Sequence, residues 1–312
     1  KATNIMEFSQ VDLYSGGNCG QLLKYKGVIV KTYYVEYTYN GQNYPAYCLD
    51  KSLTGVSDDL EYSVNLSNKI DDLGLWRTVI NGYPYKSISE LGVADKEEAF
   101  TATKQAIYCY LFENTPDDYE AIGEGGERTL NALRMIVANA QNSTETQNSS
   151  TFTIEANSTE WNEDKTNEQY VSKVYSINSI VSHLDYEISI DGKLPEGSKI
   201  TKLDGTETTK FSQGEKFKIM LLKDNLNEDG EFKINVNTEV KVKPVIYGGS
   251  PNIEFQNYAL TAYMYEDAVS TFEDAFTKIE KPEHYKEEPQ NPKVTQPEKT
   301  IKEAKILPAT GM

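Results

Sequence analysis

The segment from Asp95 to Glu113 most constrains the fold, because it contains the clearest helix in the sequence. Asp95 and Glu98 stand at the spacing of a capping box, which marks a helix N-terminus. Side chains suited to a buried face then recur at steps of three and four residues, as on one stripe of an amphipathic helix. They are Phe100, Thr103, Ile107 and Leu111. No glycine or proline interrupts the segment. The helix places Gln105 and Cys109 on nearly the same face, one turn apart.

The sequence upstream of this helix predicts a β-hairpin. A run from Val28 to Tyr39, rich in Val, Ile, Thr and Tyr, precedes Asn40-Gly41, and a second run extends from Gln42 to Leu49. Asn-Gly between two such runs is a strong hairpin signal, because both turn positions need positive φ. Cys48 is therefore expected near the end of a rigid hairpin strand.

Two short segments carry a resemblance to a known family. Thr101–Tyr108 resembles the second signature of Gram-positive thioester adhesin domains, T-Q-x-A followed by an aliphatic and an aromatic residue, and Tyr47-Cys48-Leu49 resembles the first. In the ungapped register the family glutamine falls on Lys104, whereas an offset of one residue places Gln105 there. One residue on a helix is about 100° of rotation, so the two registers differ in chemistry.

The resemblance implies an internal thioester between Cys48 and the side chain of Gln105. An amine of a host or extracellular-matrix protein would open it in a single-use reaction, so no enzyme with turnover and no cofactor is implied. Two other states of Cys48 stay open: a buried free thiol, or a disulfide with Cys109. In either case the first domain would bind a ligand non-covalently or act in a structural spacer pilin.

The chain has three cysteines, and this number bears on the chemical state of Cys48. If Cys48 is the thioester cysteine, Cys19 and Cys109 remain as a candidate disulfide pair. The bridge would close a loop of roughly 90 residues and contribute about 4 to 5 kcal/mol in the chain-entropy treatment. Three buried, reduced thiols are the alternative.

From residue 151 the sequence changes to short strands separated by turn signals, which predicts an antiparallel sandwich. This region also resembles the module that follows thioester domains in clostridial-type surface proteins, and relatives often contain a Lys–Asn isopeptide bond, here Lys173 with Asn257. We therefore predict a mixed α+β thioester-type domain over residues 1–150, with a β-hairpin or barrel sheet plus helices. This domain is followed by an all-β Ig-like sandwich over 151–272 and then by a disordered Pro-rich stalk over 273–312.

The stalk ends in a sequence that matches the L-P-x-T-G sorting signal of sortase substrates, and its residues are Leu307, Pro308, Ala309, Thr310 and Gly311. The resemblance implies that a sortase cleaves after Thr310 and joins its carbonyl to an amine of cell-wall peptidoglycan or of a pilin subunit. The protein is then expected to be secreted and anchored to the cell wall. A hydrophobic segment and a basic tail follow this signal in the family, so the printed chain is expected to be a trimmed form.

Composition excludes several other classes of function. A formal net charge of −17 disfavours nucleic acid as a partner, because phosphate binding needs basic clusters. No apolar stretch is long enough to cross a bilayer as a helix. The two histidines, His183 and His284, have no Cys or His neighbours at metal-ligand spacing, so no metal site is predicted.

Overall fold

The computed structural model describes residues 4–147, 152–179 and 181–282. The helices in these residues are α1 (Leu73–Ile80), α2 (Lys96–Phe112) and α3 (Gly123–Asn142). The strands up to α3 are β1 (Gln10–Asn18), β2 (Leu23–Tyr25), β3 (Val28–Ile29), β4 (Tyr33–Tyr39), β5 (Gln42–Cys48), β6 (Tyr62–Lys69) and β7 (Tyr119–Ala121). The strands after α3 are β8 (Phe152–Ala156), β9 (Asn162–Glu163), β10 (Tyr170–Ser179), β11 (Tyr186–Gly192), β12 (Lys199–Thr201), β13 (Lys210–Phe211), β14 (Phe217–Leu222), β15 (Gly230–Val242), β16 (Val245–Gly249), β17 (Tyr258–Thr261) and β18 (Met264–Phe276).

A closed six-stranded barrel forms the first core. Its strands are hydrogen-bonded in the order β1-β4-β5-β17-β16-β6, and β6 pairs with β1 to close the ring. Closure leaves no exposed strand edge around the barrel. The strand β1 was missed by the sequence analysis, because its residues are mostly polar and only Leu13 is fully buried.

Helix α2 lies between the barrel and α3 and is buried on two sides. Phe100, Ile107 and Tyr108 join the barrel core, whereas Ala99, Ala102 and Ala106 join a second cluster with α3 and the small sheet β3-β2-β7. The single amphipathic stripe of the sequence prediction was therefore too narrow. Small alanines on one face allow α3 to approach closely, and large side chains on the other face fill the barrel end.

The local signals of the first domain are confirmed at the hairpin turn and at the start of α2. Asn40 and Gly41 both have positive φ, at 48° and 72°, as the hairpin turn requires. The Asp95 side chain accepts a hydrogen bond from the Glu98 backbone N–H at 2.9 Å and caps α2. Upstream of α2, strand β6 ends at Lys69, and α1 begins after its cap, Asp72.

The second module consists of two antiparallel sheets that share one core. One sheet has the order β12-β14-β10-β8, with β9 added beside β10, and the other has the order β13-β11-β15-β18. Tyr175 and Phe217 of the first sheet pack in one cluster with Ile188 and Ile234 of the second. A two-sheet arrangement was predicted; the more specific Ig-like assignment stays a prediction.

The division of the chain at residue 150 requires correction, because two strands assigned to the sandwich belong to the barrel. Strand β16 pairs with β6, and β17 pairs with β5. The strands before and after this hairpin, β15 and β18, pair with each other in the sandwich. The sandwich thus extends a hairpin, β16–β17, into the barrel, and the chain passes between the two modules more than once.

The isopeptide pair suggested by resemblance is also not brought together. Asn257 precedes the barrel strand β17, and its Oδ1 accepts a hydrogen bond from the Ser250 backbone N–H at 2.8 Å. Lys173 lies in the sandwich, where its Nζ is 3.0 Å from Asp274 Oδ2. The barrel position of β17 therefore separates Asn257 from Lys173.

Candidate functional site

Cys48 is the last residue of β5, and hydrogen bonds on both sides fix its position. Its Cα partner on the neighbouring strand is Tyr258 in β17. The backbone N–H of Leu49 donates to Asn257 O at 3.0 Å, and that of Asp50 donates to the Gln256 side-chain oxygen at 2.8 Å. The residues that hold the Cys48 strand end thus come from the loop before β17, which the sequence analysis had placed in the other module.

A tyrosine hydroxyl contacts the sulfur of Cys48. Tyr108 on α2 places its hydroxyl oxygen 2.8 Å from Cys48 Sγ, and both side chains are buried. Burial, followed by the neighbouring Cys48, raises the pKa of Tyr108 well above its usual range. The phenol therefore keeps its proton at neutral pH and is able to donate to a thiolate.

Gln105 lies three residues before Tyr108 on α2, and residues at that spacing are neighbours on a helix surface. Its side chain is buried, and its Oε1 accepts a hydrogen bond from the Tyr119 hydroxyl at 2.7 Å. The Tyr119 hydroxyl therefore holds the carbonyl oxygen of Gln105 and polarises the carbonyl bond.

Tyr119 belongs to a chain of three donors directed towards Gln105. The Tyr25 hydroxyl donates to Asn114 Oδ1 at 3.0 Å, and Asn114 Nδ2 donates to the Tyr119 hydroxyl at 3.1 Å. Successive donors polarise one another, which strengthens the last bond in the chain. Burial raises the pKa of Tyr119 above its usual range, so this hydroxyl also stays protonated.

One cavity of about 530 Å³ brings the two candidate residues together. Cys48 and Gln105 both line it, with Tyr108, Tyr258 and Phe100 among the aromatic walls. An aromatic wall excludes water from a reactive acyl group while leaving one side open to a ligand. Cys48 and Gln105 were predicted from the sequence, whereas four further residues of the site were not: Tyr119, Tyr25, Asn114 and Gln256.

Lys104 and Gln105, the two possible positions of the family glutamine, have different surroundings. Lys104 also lines the cavity, but its side chain is only half buried, and its Nζ lies 5.7 Å from the centre of the Tyr108 ring. Gln105 is buried and hydrogen-bonded through its carbonyl oxygen. The side chain that presents a carbonyl carbon to the cavity is therefore that of Gln105.

The candidate disulfide between Cys19 and Cys109 is absent from the structure, in which all three cysteines are free. The Cys19 thiol lies near Thr101, and the Cys109 thiol lies near Tyr119. Residues 101 and 109 are two turns apart on α2, about 12 Å along its axis, whereas bridged cysteines have Cα atoms within about 7 Å. Burial raises the pKa of Cys19 to about 11 and that of Cys109 to about 12, so both are poor nucleophiles at neutral pH.

The remaining sequence predictions fall partly outside the described residues. The sorting signal, Leu307 to Gly311, and most of the Pro-rich stalk lie there. In the part of the chain that the structure describes, no group of three or more His, Cys, Asp or Glu side chains could hold a metal ion. Among the same residues no helix is both long and apolar enough to cross a membrane.

The segment that contains both Cys48 and Gln105 is similar to a known protein family. Residues 45–142 match the thioester domain family, TED. This range includes Cys48, Gln105, Tyr108 and Tyr119, but it excludes the barrel strands that precede it and the β16–β17 hairpin. No curated protein sequence matches the chain.

Two solved structures resemble the whole fold. The Bacillus anthracis TIE protein is 24% identical with a TM-score of 0.66, and the match covers 86% of this chain and 49% of that one. The thioester domain of the Enterococcus faecium TIE86 protein is 17% identical with a TM-score of 0.62, and the match covers 89% of this chain and 99% of that one. The chain thus spans about half the length of the B. anthracis protein. The similarity of fold extends beyond residues 45–142 and includes most of the second module.

Proposed function

We propose that this protein is a cell-surface adhesin that forms a covalent bond to its ligand through a thioester between Cys48 and Gln105. The observation that carries the proposal is the pair of tyrosine hydroxyls on the two reacting groups: Tyr108 on Sγ and Tyr119 on Oε1. Both groups line one cavity, although they come from a strand and a helix that are distant in sequence. The match of this segment to the thioester domain family supports the same chemistry.

Formation of the thioester follows from the contacts. Cys48 Sγ attacks the side-chain carbonyl carbon of Gln105, the C–N bond breaks, and ammonia leaves with the thiol proton. Negative charge accumulates on Oε1 during the attack, where the Tyr119 hydroxyl already donates at 2.7 Å. A preorganised donor at that position stabilises the tetrahedral intermediate.

Ligand capture is the second acyl transfer at the same carbonyl carbon. A ligand amine attacks that carbon, the C–S bond breaks, and an amide joins the ligand to Gln105. The proton released by the amine goes to sulfur, and the Tyr108 hydroxyl, 2.8 Å from Sγ, stabilises the departing thiolate. Each molecule reacts once, so the protein is a covalent binder without turnover.

Intact mass of the purified protein tests the thioester. We expect a mass lower than the sequence mass by one ammonia, and we expect methylamine to add one adduct. Cys48→Ala and Gln105→Ala should each abolish both effects. Cys19→Ala is the matched control, because Cys19 is also a buried free thiol but does not line the cavity. Wild-type protein at full sequence mass would falsify the thioester and favour a spacer pilin or a non-covalent binder.

The same proposal includes attachment of the protein to the cell wall. The sorting sequence ending in Thr310-Gly311 supports secretion and sortase-catalysed transfer to peptidoglycan or to a pilin subunit. Incubation with a matching sortase and an amine probe should label Thr310, and Thr310→Ala should not be labelled. An unlabelled wild-type chain beside a labelled control substrate would contradict anchoring, independently of the thioester.

A further inference from the structure

The cavity over Cys48 and Gln105 carries positive charge in a strongly negative protein. Lys31, Lys51 and Lys104 line it, and Asp59 is the one carboxylate in the lining. The chain as a whole has a formal net charge of −17. The sign of charge at this opening is therefore opposite to that of the rest of the molecule.

These three lysines have no ion-pair partner among the described residues, so their charge is available to a ligand. Aromatic rings hold two of them at the cavity. Lys51 Nζ lies 4.9 Å from the centre of the Phe112 ring, and Lys104 Nζ lies 5.7 Å from the centre of the Tyr108 ring. Cation–π contacts of this kind orient an ammonium group without neutralising it.

An exposed apolar strip lies beside the same lysines. Val28 and Ile29 form the short edge strand β3, and both line the cavity while remaining exposed, at 70% and 44%. An edge strand with free backbone groups is a template for an extended segment of another chain. The opening thus offers an apolar strand edge flanked by ammonium groups.

This arrangement has a consequence for the amine that reaches the thioester. A lone ligand lysine, itself a cation, is repelled by three ammonium groups at the opening. Carboxylates next to that lysine in the ligand offset the repulsion and raise the rate of encounter. The same positive potential favours the neutral amine over the ammonium ion, and only the neutral amine attacks a carbonyl carbon.

We propose that the ligand of this cavity is an extended peptide segment in which the reactive lysine is flanked by acidic residues. The inference rests on the proposed function and specifies the class of its partner. Lys51 and Lys104 are the residues that select the segment, and Val28 and Ile29 contact its apolar side chains.

Competing peptide probes of equal length test the proposal. Each probe has one central lysine, and its flanking residues are either Asp and Glu or Arg. The rate of adduct formation is followed by intact mass at low and high salt. We expect the acidic probe to react about tenfold faster at low salt, and we expect the difference to shrink at high salt, where charges are screened.

Variants assign the preference to the cavity. Lys51→Gln and Lys104→Gln should each reduce the ratio of the acidic to the arginine-flanked rate. Lys193→Gln, an exposed sandwich residue that does not line the cavity, changes the net charge equally and should leave the ratio unchanged. Equal rates for the two probes, in protein that methylamine opens normally, would overturn the inference. Protein that methylamine does not open would instead overturn the thioester itself.

Discussion

Replacement of Tyr119 by phenylalanine tests the acyl-transfer chemistry most directly, because it removes one hydroxyl and little volume. In the wild-type protein that hydroxyl is 2.7 Å from Gln105 Oε1 and accepts from Asn114 Nδ2 at 3.1 Å. Loss of a single donor to a developing oxyanion costs about 10²- to 10³-fold in rate, or about 2.7 to 4 kcal/mol. Tyr119 is neutral and buried, so we expect the lower end, about 10²-fold slower opening by methylamine.

The assay is a single-turnover reaction of thioester-containing protein with methylamine, followed by intact mass. Because Tyr119→Phe should also slow thioester formation, the fraction with the lowered mass is measured first, and rates refer to that fraction. Folding should survive, since the loss leaves buried polar groups without partners at a cost of about 1 to 3 kcal/mol. Tyr25→Phe is the graded control, because it breaks the donor chain two bonds away and should have a smaller effect. Opening of Tyr119→Phe at the wild-type rate would refute the role of this hydroxyl.

Two further predictions concern the second module and its connection to the barrel. Lys218 Nζ lies 2.7 Å from Asp164 Oδ2, and both side chains are buried. Asp164→Asn or Lys218→Met alone should therefore lower the free energy of unfolding, measured by urea denaturation, by about 3 to 5 kcal/mol. A single variant as stable as the wild type would contradict this prediction. Burial alone would raise the pKa of Asp164, but hydrogen bonds from Lys218, Thr166 and Ser172 lower it well below its usual range. The contribution of ionised Asp164 to the free energy of unfolding should therefore be complete above about pH 4 and be lost as the pH falls further. A proteolytic cut within residues 143–150 should leave two fragments that coelute in gel filtration without denaturant, because β16 and β17 stay in the barrel; separate elution would contradict the topology.

Local sequence signals predicted the parts of the site that depend on neighbours along the chain. Asn40-Gly41 predicted the hairpin that ends at Cys48, and Asp95 with Glu98 predicted the start of the helix that carries Gln105. Each of these signals involves residues at most a few positions apart, so propensity and spacing suffice.

Barrel closure could not be predicted in the same way. Tyr258 pairs with Cys48 across about two hundred residues, and its strand has the same β-forming composition as the sandwich strands on either side. Composition alone does not show which sheet such a strand joins. Tyr119 and Asn114 were missed for a related reason: they lie in a short segment after α2 whose role depends on where the chain turns. Glu113 makes that turn with a φ of 56°, which a glutamate rarely adopts and which no sequence pattern marked.

The hairpin β16–β17 also determines how the molecule transmits mechanical force. Tension applied between the C-terminal end of β18 and a ligand joined to Gln105 runs along β18 and enters the barrel through β17. It reaches α2, which carries Gln105, through the barrel core that contains both Tyr258 and Tyr108. Strand β18 is paired with β15 along its whole length, from Phe276 opposite Gly230 to Met264 opposite Val242. A pull along the strand axis loads these hydrogen bonds together in shear, so they resist jointly and do not open one after another. The same holds where β17 lies against β5, so paired strands of both modules carry the load between the ligand and the C-terminal end of β18.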